Sequence, residues 1–256
     1  FFSDIQGFST ISEGLTPEEL VQLLNEYLTA MCDLISSYHG TIDKFEGDAI
    51  IAFWGAPLEL PNHATVACHA SIDMQKRNEE MRKTLREQNR PMLYTRIGMS
   101  SGPVVVGNMG SADRMDYTMM GDVVNLAARL EGVNKFYKTF TMIPQSTYEL
   151  AKDDIDTRQL DVIRVVGKKE PIPVYEVLER KNQTSSEKSG VVENYLKALK
   201  LYEERNFADA LKEFEKVLTI DQEDGPSQTY VKRCGVFLET PPEKDWDGVY
   251  TFTEKG

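Results

Sequence analysis

Thr41-Ile42-Asp43-Lys44-Phe45-Glu46-Gly47-Asp48-Ala49-Ile50-Ile51-Ala52-Phe53-Trp54 decides the fold. Two β-type runs, 41–45 and 49–54, flank Glu46-Gly47-Asp48, which reads as a hairpin turn. Helical patterns lie on either side of this hairpin. Upstream, Thr16-Pro17-Glu18-Glu19 supplies an N-cap, a proline at the first helical position and a capping-box glutamate. Leu20, Leu23, Leu24, Tyr27, Leu28, Met31, Leu34 and Ile35 follow at helical spacing until Gly40, which predicts a helix over 17–39. Downstream, Ala67, Ala70, Met74, Met81 and Leu85 mark a second helix over 64–88, and 94–100 reads as a strand. A short apolar segment ending at Asp4 supplies the first strand. The order is βαββαβ, a ferredoxin-like split βαβ core of the α+β class, with an antiparallel sheet and helices packed on one face. In such a sheet the end of the first strand neighbours the start of the third. Asp4 and Asp48 are therefore expected side by side, although far apart in sequence.

Beyond this core, 104–106 and 116–119 read as further strands, 122–137 as an amphipathic helix, and 158–166 with 173–178 as a closing pair of strands. Asn182 to Gly190 is Ser-rich and charged, lacks apolar periodicity and reads as a linker between a core of 1–181 and a tail of 191–256. In the tail, 191–204 and 207–219 form two amphipathic helices about Arg205-Asn206, and a third begins near Ser227. Tyr195, Ala198, Leu199, Tyr202, Ala208, Ala210, Leu211, Phe214 and Val217 give the pattern of one α-helical, tetratricopeptide-like hairpin. A single such unit cannot bury both faces and is expected to pack on the core or on a partner. Trp246, in an acidic loop, reads as a packing anchor holding the tail to a neighbour.

Composition narrows the function. The 256 residues hold 29 Lys and Arg against 41 Asp and Glu, a formal net charge of −12. That balance argues against a protein that wraps a nucleic-acid polymer, which needs a basic stripe to neutralise phosphates. A nucleotide substrate is still allowed, because it needs only a few local cations. Cys32, Cys68 and Cys234 are odd in number and widely separated, which favours a reducing, cytoplasmic setting over a disulfide framework. No apolar run approaches the roughly 20 residues that span a bilayer, so membrane contact by this segment is not expected. The chain starts at Phe1-Phe2-Ser3-Asp4 without Met, inside a predicted strand, and reads as part of something longer.

Three groups of residues carry chemistry. Adjacent carboxylates such as Asp4 and Asp48 repel unless a divalent cation sits between them, and hard oxygen ligands suit Mg²⁺ or Mn²⁺; taken alone, two acids in turns are also commonplace. Gly7-Phe8-Ser9, between Asp4 and a helix, is either an ordinary loop or a turn whose amides face a phosphate. Asn125 and Arg129, at i and i+4, share one helix face. They form either a solvated surface or a pair that orients a ribose and neutralises charge on phosphorus. Lys44, four residues before Asp48, reads by itself as an exposed strand lysine.

Together, Phe2-Ser3-Asp4-Ile5-Gln6-Gly7-Phe8-Ser9, Lys44-Phe45-Glu46-Gly47-Asp48 and the run from Arg114 to Glu131 (RMDYTMMGDVVNLAARLE) resemble the signature segments of class III nucleotidyl cyclase catalytic domains, in order and spacing, over about residues 1–180. The resemblance implies that Asp4, Asp48 and the main-chain carbonyl of Ile5 hold two Mg²⁺ or Mn²⁺ ions per active site. It also implies that Asn125 orients the ribose and that Arg129 stabilises the pentavalent phosphorus. It implies sites at the interface of a head-to-tail dimer, where Asp4 and Asp48 of one chain face Lys44, Thr118, Asn125 and Arg129 of the other. Since every element is present in this chain, a symmetric homodimer is expected, with an N-terminal regulatory domain in the full-length protein.

Base choice follows from hydrogen-bond chemistry. Adenine offers an acceptor at N1 and a donor at its 6-amino group, and guanine reverses both. Lys44 only donates and the Thr118 hydroxyl can accept, which favours ATP; guanylyl cyclases resemble one another in carrying Glu and usually Cys at these places. Thr118 further resembles a subgroup that includes bicarbonate-responsive enzymes, so bicarbonate activation is an expectation. One departure stands out. Where the family commonly has Lys-Gly-Lys, with its first lysine on the terminal phosphate, this chain has Val166-Gly167-Lys168-Lys169, so either Lys168, Lys169 or Arg114 serves the phosphates or substrate binding is weaker; the preferred reading is Arg114 with Lys168 assisting. The reading is an adenylyl cyclase forming cyclic AMP and pyrophosphate. Its rivals are a guanylyl cyclase, and a cyclase-like dimerisation or interaction module with little catalysis.

Overall fold

In the computed structural model, residues 1–165 and 170–252 are described. Val166, Lys168 and Lys169 fall outside them, so the phosphate role expected of Lys168 lies outside the described residues. The chain runs β1 (Phe2–Ile5), α1 (Phe8–Glu13), α2 (Pro17–Ser37), β2 (Thr41–Glu46), β3 (Ala49–Phe53), α3 (His63–Glu87), β4 (Thr95–Gly98), β5 (Val105–Gly110), β6 (Met115–Met120) and α4 (Asp122–Tyr137). It continues through β7 (Thr141–Pro144), α5 (Gln145–Ala151), β8 (Ile155–Arg164), β9 (Ile172–Arg180), α6 (Ser186–Glu203), α7 (Phe207–Ile220), α8 (Gly225–Glu239) and β10 (Tyr250–Thr251).

The capping box starts α2 as expected: the Glu19 amide donates to Thr16 Oγ1 at 3.3 Å, and the Thr16 amide donates to Glu19 Oε2 at 2.9 Å. Leu23, Tyr27, Met31 and Ile35 then form its buried stripe. The β4-β1-β3-β2 segment of the main sheet is antiparallel throughout, the split arrangement the hairpin required. Beyond β4 the sheet continues through β7, β9, β8 and β10.

Helices cover both faces of the sheet. On β4, Thr95 donates to the buried Tyr27 hydroxyl of α2, and Ile97 belongs to the cluster with α2 and α3. The alternate residues Arg96 and Gly98 face α4 instead. Thus α2 and α3 share one face, as read from sequence, and α4 occupies the other. A Cβ on Gly98 would lie 2.2 Å from both Ala127 O and Glu131 N, so α4 rests its backbone on the strand there.

The strands read at 104–106 and 116–119 are the two halves of a separate hairpin, β5–β6, which pairs only with itself. The residues read as a linker are mostly helix: α6 begins at Ser186, with the Ser185 hydroxyl accepting from the Lys188 amide. That first turn is polar because it faces solvent, and burial begins at Val191. The tail packs on the core. Leu126, Leu130, Val133 and Tyr137 of α4, with Leu160, Ile163 and Val174 of the sheet, share one apolar cluster with Tyr195, Tyr202, Phe214 and Tyr230. Trp246 holds the chain's end to the tail's own helices, against Tyr202, Phe207 and Phe237, and not to a neighbour. Among the described residues no helix is long and apolar enough to cross a membrane.

Candidate active site

Register brings the two carboxylates together. With Phe2 opposite Ile51 and Ser3 opposite Ile50, the end of β1 meets the turn before β3, and the Ile5 amide donates to Asp48 Oδ2 at 2.8 Å. On the other edge Asp4 pairs with Arg96 of β4. The Arg96 guanidinium bridges Asp4 Oδ1 at 3.2 Å and Glu131 Oε1 of α4 at 2.9 Å. Burial, reinforced by the Asp4 charge and opposed by the Ile5 amide and Arg96, raises the Asp48 carboxyl above its ordinary range. Burial likewise pushes Glu131 up to about 7, against the pull of Arg96. This is an excess of negative charge that a cation relieves.

Among the described residues no three His, Cys, Asp or Glu side chains converge on a metal-sized site. The donor set that the resemblance implies is two carboxylates and a main-chain carbonyl, all hard oxygens. It suits Mg²⁺ or Mn²⁺, which leave their remaining positions to water and substrate phosphates. The residues therefore fit the implied group.

Gly7 adopts φ 69°, ψ 25°, the left-handed conformation that glycine reaches without strain, and turns the chain from β1 into α1. Phe8 and Ser9 open that short helix, which follows directly on the strand that carries Asp4 and Ile5.

Lys44 and Thr118 also meet, through a residue that the sequence reading passed over. The Thr118 hydroxyl of β6 donates to Asp43 Oδ2 at 2.6 Å, and Lys44 Nζ lies 3.6 Å from Asp43 Oδ1. The β2–β3 register slips between Ile42 and Lys44, which leaves Asp43 as an unpaired extra residue in β2, a β-bulge.

Along α4, Asn125 is exposed and Arg129 half-buried. Arg129 Nη1 is shut from solvent and has no hydrogen-bond acceptor among the described residues. A buried guanidinium nitrogen without a partner is costly in the isolated chain and ready for an anionic oxygen. Arg114, expected on the phosphates, lies exposed at the tip of the β5–β6 hairpin, and its side chain makes no hydrogen bond or ion pair within the described residues. The chain thus gathers Asp4, Ile5 and Asp48 at one place, Lys44 and Thr118 at another, and Asn125 with Arg129 on α4. No hydrogen bond or ion pair joins the first group to the other two among the described residues. Asp43, Arg96 and Glu131 escaped the sequence reading, and only Glu131 lay inside a quoted signature segment.

Comparison with known proteins identifies the family. Residues 1–179 match the family described as the adenylate and guanylate cyclase catalytic domain. The chain belongs to this family. The cyclase domain is 38% identical over 177 residues to adenylate cyclase 1 of Rhizobium meliloti, an alignment that takes in 69% of this chain and 27% of that protein. It is 32% identical over 239 residues to the terminal-differentiation-specific adenylate cyclase of Dictyostelium discoideum, covering 91% of this chain and 11% of that one. The chain therefore spans a minor part of the curated relatives it matches. Among solved structures, the adenylyl cyclase CyaB from P. aeruginosa superposes with a TM-score of 0.66 at 38% identity, covering 72% of this chain and 94% of that one. The guanylyl cyclase Cya2 gives 0.63 at 35% identity, covering 71% and 91%. Relatives of both base specificities share the cyclase fold, so base choice must be argued from this chain's own residues.

Proposed function

We propose that the chain converts ATP to 3′,5′-cyclic AMP and pyrophosphate at sites shared between two copies arranged head to tail. The observation that carries this is the donor set at the β1–β3 junction, where Asp48 is tied to the Ile5 amide and Asp4 stands beside it. In the reaction the ribose O3′ bonds to the α-phosphorus and the bond from that phosphorus to the bridging oxygen breaks, releasing pyrophosphate. Asp4, Asp48 and the Ile5 carbonyl would hold two Mg²⁺ or Mn²⁺ ions, which when bound would acidify the 3′-hydroxyl and neutralise the triphosphate. The chain's own groups do the rest. The Phe8 and Ser9 amides face phosphate oxygens, Asn125 aligns the ribose, and Arg129 meets charge as it builds on the equatorial oxygens. Arg114, with Lys168, serves the phosphates. Lys44 donates to adenine N1 and Thr118 accepts from the 6-amino group, which favours ATP over GTP.

Support for the homodimer comes from the β5–β6 hairpin. Val105 and Met120, paired across it, are 67% and 65% exposed, an apolar surface that a second copy would cover. We read α6 and α7 as one tetratricopeptide-like hairpin, by their apolar pattern, and assign the activity to the cytoplasm, where ATP is made available. An N-terminal regulatory domain and activation by bicarbonate complete the reading; the second is abandoned if bicarbonate leaves turnover unchanged at fixed pH.

Incubating the purified chain with ATP or GTP and Mn²⁺ and identifying the product tests the chemistry. Cyclic AMP is expected, and cyclic GMP alone or no cyclic product overturns it. Mixing inactive Asp48→Ala with inactive Arg129→Ala tests the shared site. Half of the dimers are then mixed, and each has one intact site, so activity returns to about a quarter of the original. No recovery rules out sites built from two chains.

A further inference from the structure

Asp43 sits where an ordinary strand would place no useful group. In regular alternation Asp43 and Lys44 would point to opposite faces of β2. The bulge between Ile42 and Lys44 breaks that alternation and leaves both side chains close together, with Lys44 Nζ 3.6 Å from Asp43 Oδ1. Bulges occur beside active sites because they re-aim side chains in this way. The Asp43 side chain is only 3% exposed, and its Oδ1, with Lys44 Nζ beyond hydrogen-bond reach at 3.6 Å, has no hydrogen-bond partner among the described residues. A buried carboxylate with an unfilled acceptor is unfavourable for the fold. An apolar residue would serve the packing better, so the carboxylate calls for another reason.

The reason lies in the Thr118 hydroxyl. A hydroxyl has one proton and two lone pairs, and alone it accepts from an amino group or donates to a carbonyl by rotating. An ionised carboxylate accepts only. At 2.6 Å, Asp43 Oδ2 therefore takes the single Thr118 proton and leaves Thr118 with acceptor capacity alone. We propose that Asp43 is a positioning residue for base choice: bulged out of β2, it locks the Thr118 hydroxyl as an acceptor next to the Lys44 ammonium, so that Thr118 accepts from the adenine 6-amino group while Lys44, independently of Asp43, donates to N1. Guanine meets this pair with its polarity reversed at both positions. Its O6 faces an oxygen with no proton to give, and its N1–H faces an ammonium that cannot accept. The inference rests on the reading that Lys44 and Thr118 face the base, and adds the group that gives Thr118 its polarity.

The test compares wild type, Asp43→Ala, Asp43→Asn, Thr118→Val and the double variant of Asp43→Ala with Thr118→Val. Each is assayed with ATP, GTP and purine riboside triphosphate, which is ATP without its 6-amino group. Asp43→Ala is expected to lower kcat/KM for ATP about tenfold, mainly through KM, the effect of roughly one hydrogen bond. It leaves the purine nucleotide unchanged, because that substrate never uses Thr118. Asp43→Asn keeps a carbonyl acceptor for the Thr118 proton and recovers most of the loss. The double variant is no worse than Thr118→Val alone. Equal losses for ATP and the purine nucleotide, or additive losses in the double variant, overturn the proposal and make Asp43 structural. The same comparison is read from binding of 3′-deoxyATP against 3′-deoxyGTP, neither of which can cyclise. An inactive wild type that keeps an Asp43-dependent binding preference counts against the cyclase reading alone, and a preference insensitive to Asp43→Ala or Asp43→Asn overturns the proposal whatever the turnover.

Discussion

Arg129 ends in a guanidinium nitrogen that is buried and unpaired among the described residues, a condition that an arriving anionic oxygen would relieve. Arg129→Ala is expected to lower kcat by about 100-fold to 1000-fold with little change in the KM for ATP, since such a donor acts on charge that develops in the transition state. A variant with unchanged kcat and raised KM would show a ground-state contact instead. Asp48→Ala is expected to abolish Mn²⁺-dependent turnover, and retained turnover would remove Asp48 from the donor set. These two residues were legible in the sequence because each lies in a short contiguous signature. Arg96 and Glu131 were not. Their partnership with Asp4 depends on the β1–β4 register and on the face α4 presents, and no local spacing encodes either. Asp43 was hidden differently, because a bulge reads as ordinary alternation until the partner strand is known.

At the scale of elements, α4 is seated by contact with a glycine. Gly98→Ala puts a methyl group 2.2 Å from Ala127 O and Glu131 N, both backbone atoms that cannot turn aside. About 3 kcal/mol of destabilisation is expected, with a fall in kcat as Asn125 and Arg129 shift, measurable by denaturant unfolding beside turnover. A stability within about 0.5 kcal/mol of wild type would mean that α4 is free to lift. The β5–β6 hairpin supplies the contrasting case. Val105→Asp with Met120→Lys replaces two side chains that are 67% and 65% exposed in one chain without setting like charges opposite each other, so the circular dichroism of the folded chain should hold while sedimentation shows monomers and activity disappears. A dimer that survives both changes would exclude the hairpin from the interface. Helices α2, α3 and α4 were readable from caps and periodicity. By contrast, β7 and α5 escaped because β7 is four residues, all buried, and α5 is two turns with only Thr147 and Ala151 inside. Segments that short show no period to detect.

Across the whole molecule, charge ties tail to core. Arg158 of β8, 1% exposed, pairs with Glu176 at 2.6 Å and with Asp224, the N-cap of α8, at 2.7 Å. Asp224→Ala leaves that guanidinium short of a partner and should cost about 3–5 kcal/mol, read from unfolding of the full chain. A loss below about 1 kcal/mol would show that Glu176 alone suffices. Burial by itself would raise the Asp224 carboxyl, but Arg158, the link to Ser227 and Lys188 outweigh it and hold it below its ordinary value. A carboxyl depressed in the fold stabilises above its unfolded pKa of about 4, and that contribution is lost as pH falls through the folded value. Acid should therefore weaken the wild type more than Asp224→Ala, and parallel stability curves below pH 4 would contradict this. The sequence showed that the tail needed something to pack on. It did not show what, because the surface that receives the tail is assembled from α4, β8 and β9.

The Arg96 strut has a consequence for a pair of chains. In the proposed dimer Asn125 and Arg129 of α4 serve the site that holds the other copy's carboxylates, while Glu131, two residues beyond Arg129, braces its own chain's Asp4 through Arg96. Two residues are about 3 Å of helix. Each α4 is thus a short rocker arm with one end in either site, and a tilt that improves the grip on one nucleotide alters the bracing of the other. If the sites are shared in the proposed way, they are expected not to fill independently, and their ATP saturation curve should depart from a simple hyperbola; a hyperbolic curve would count against the coupling.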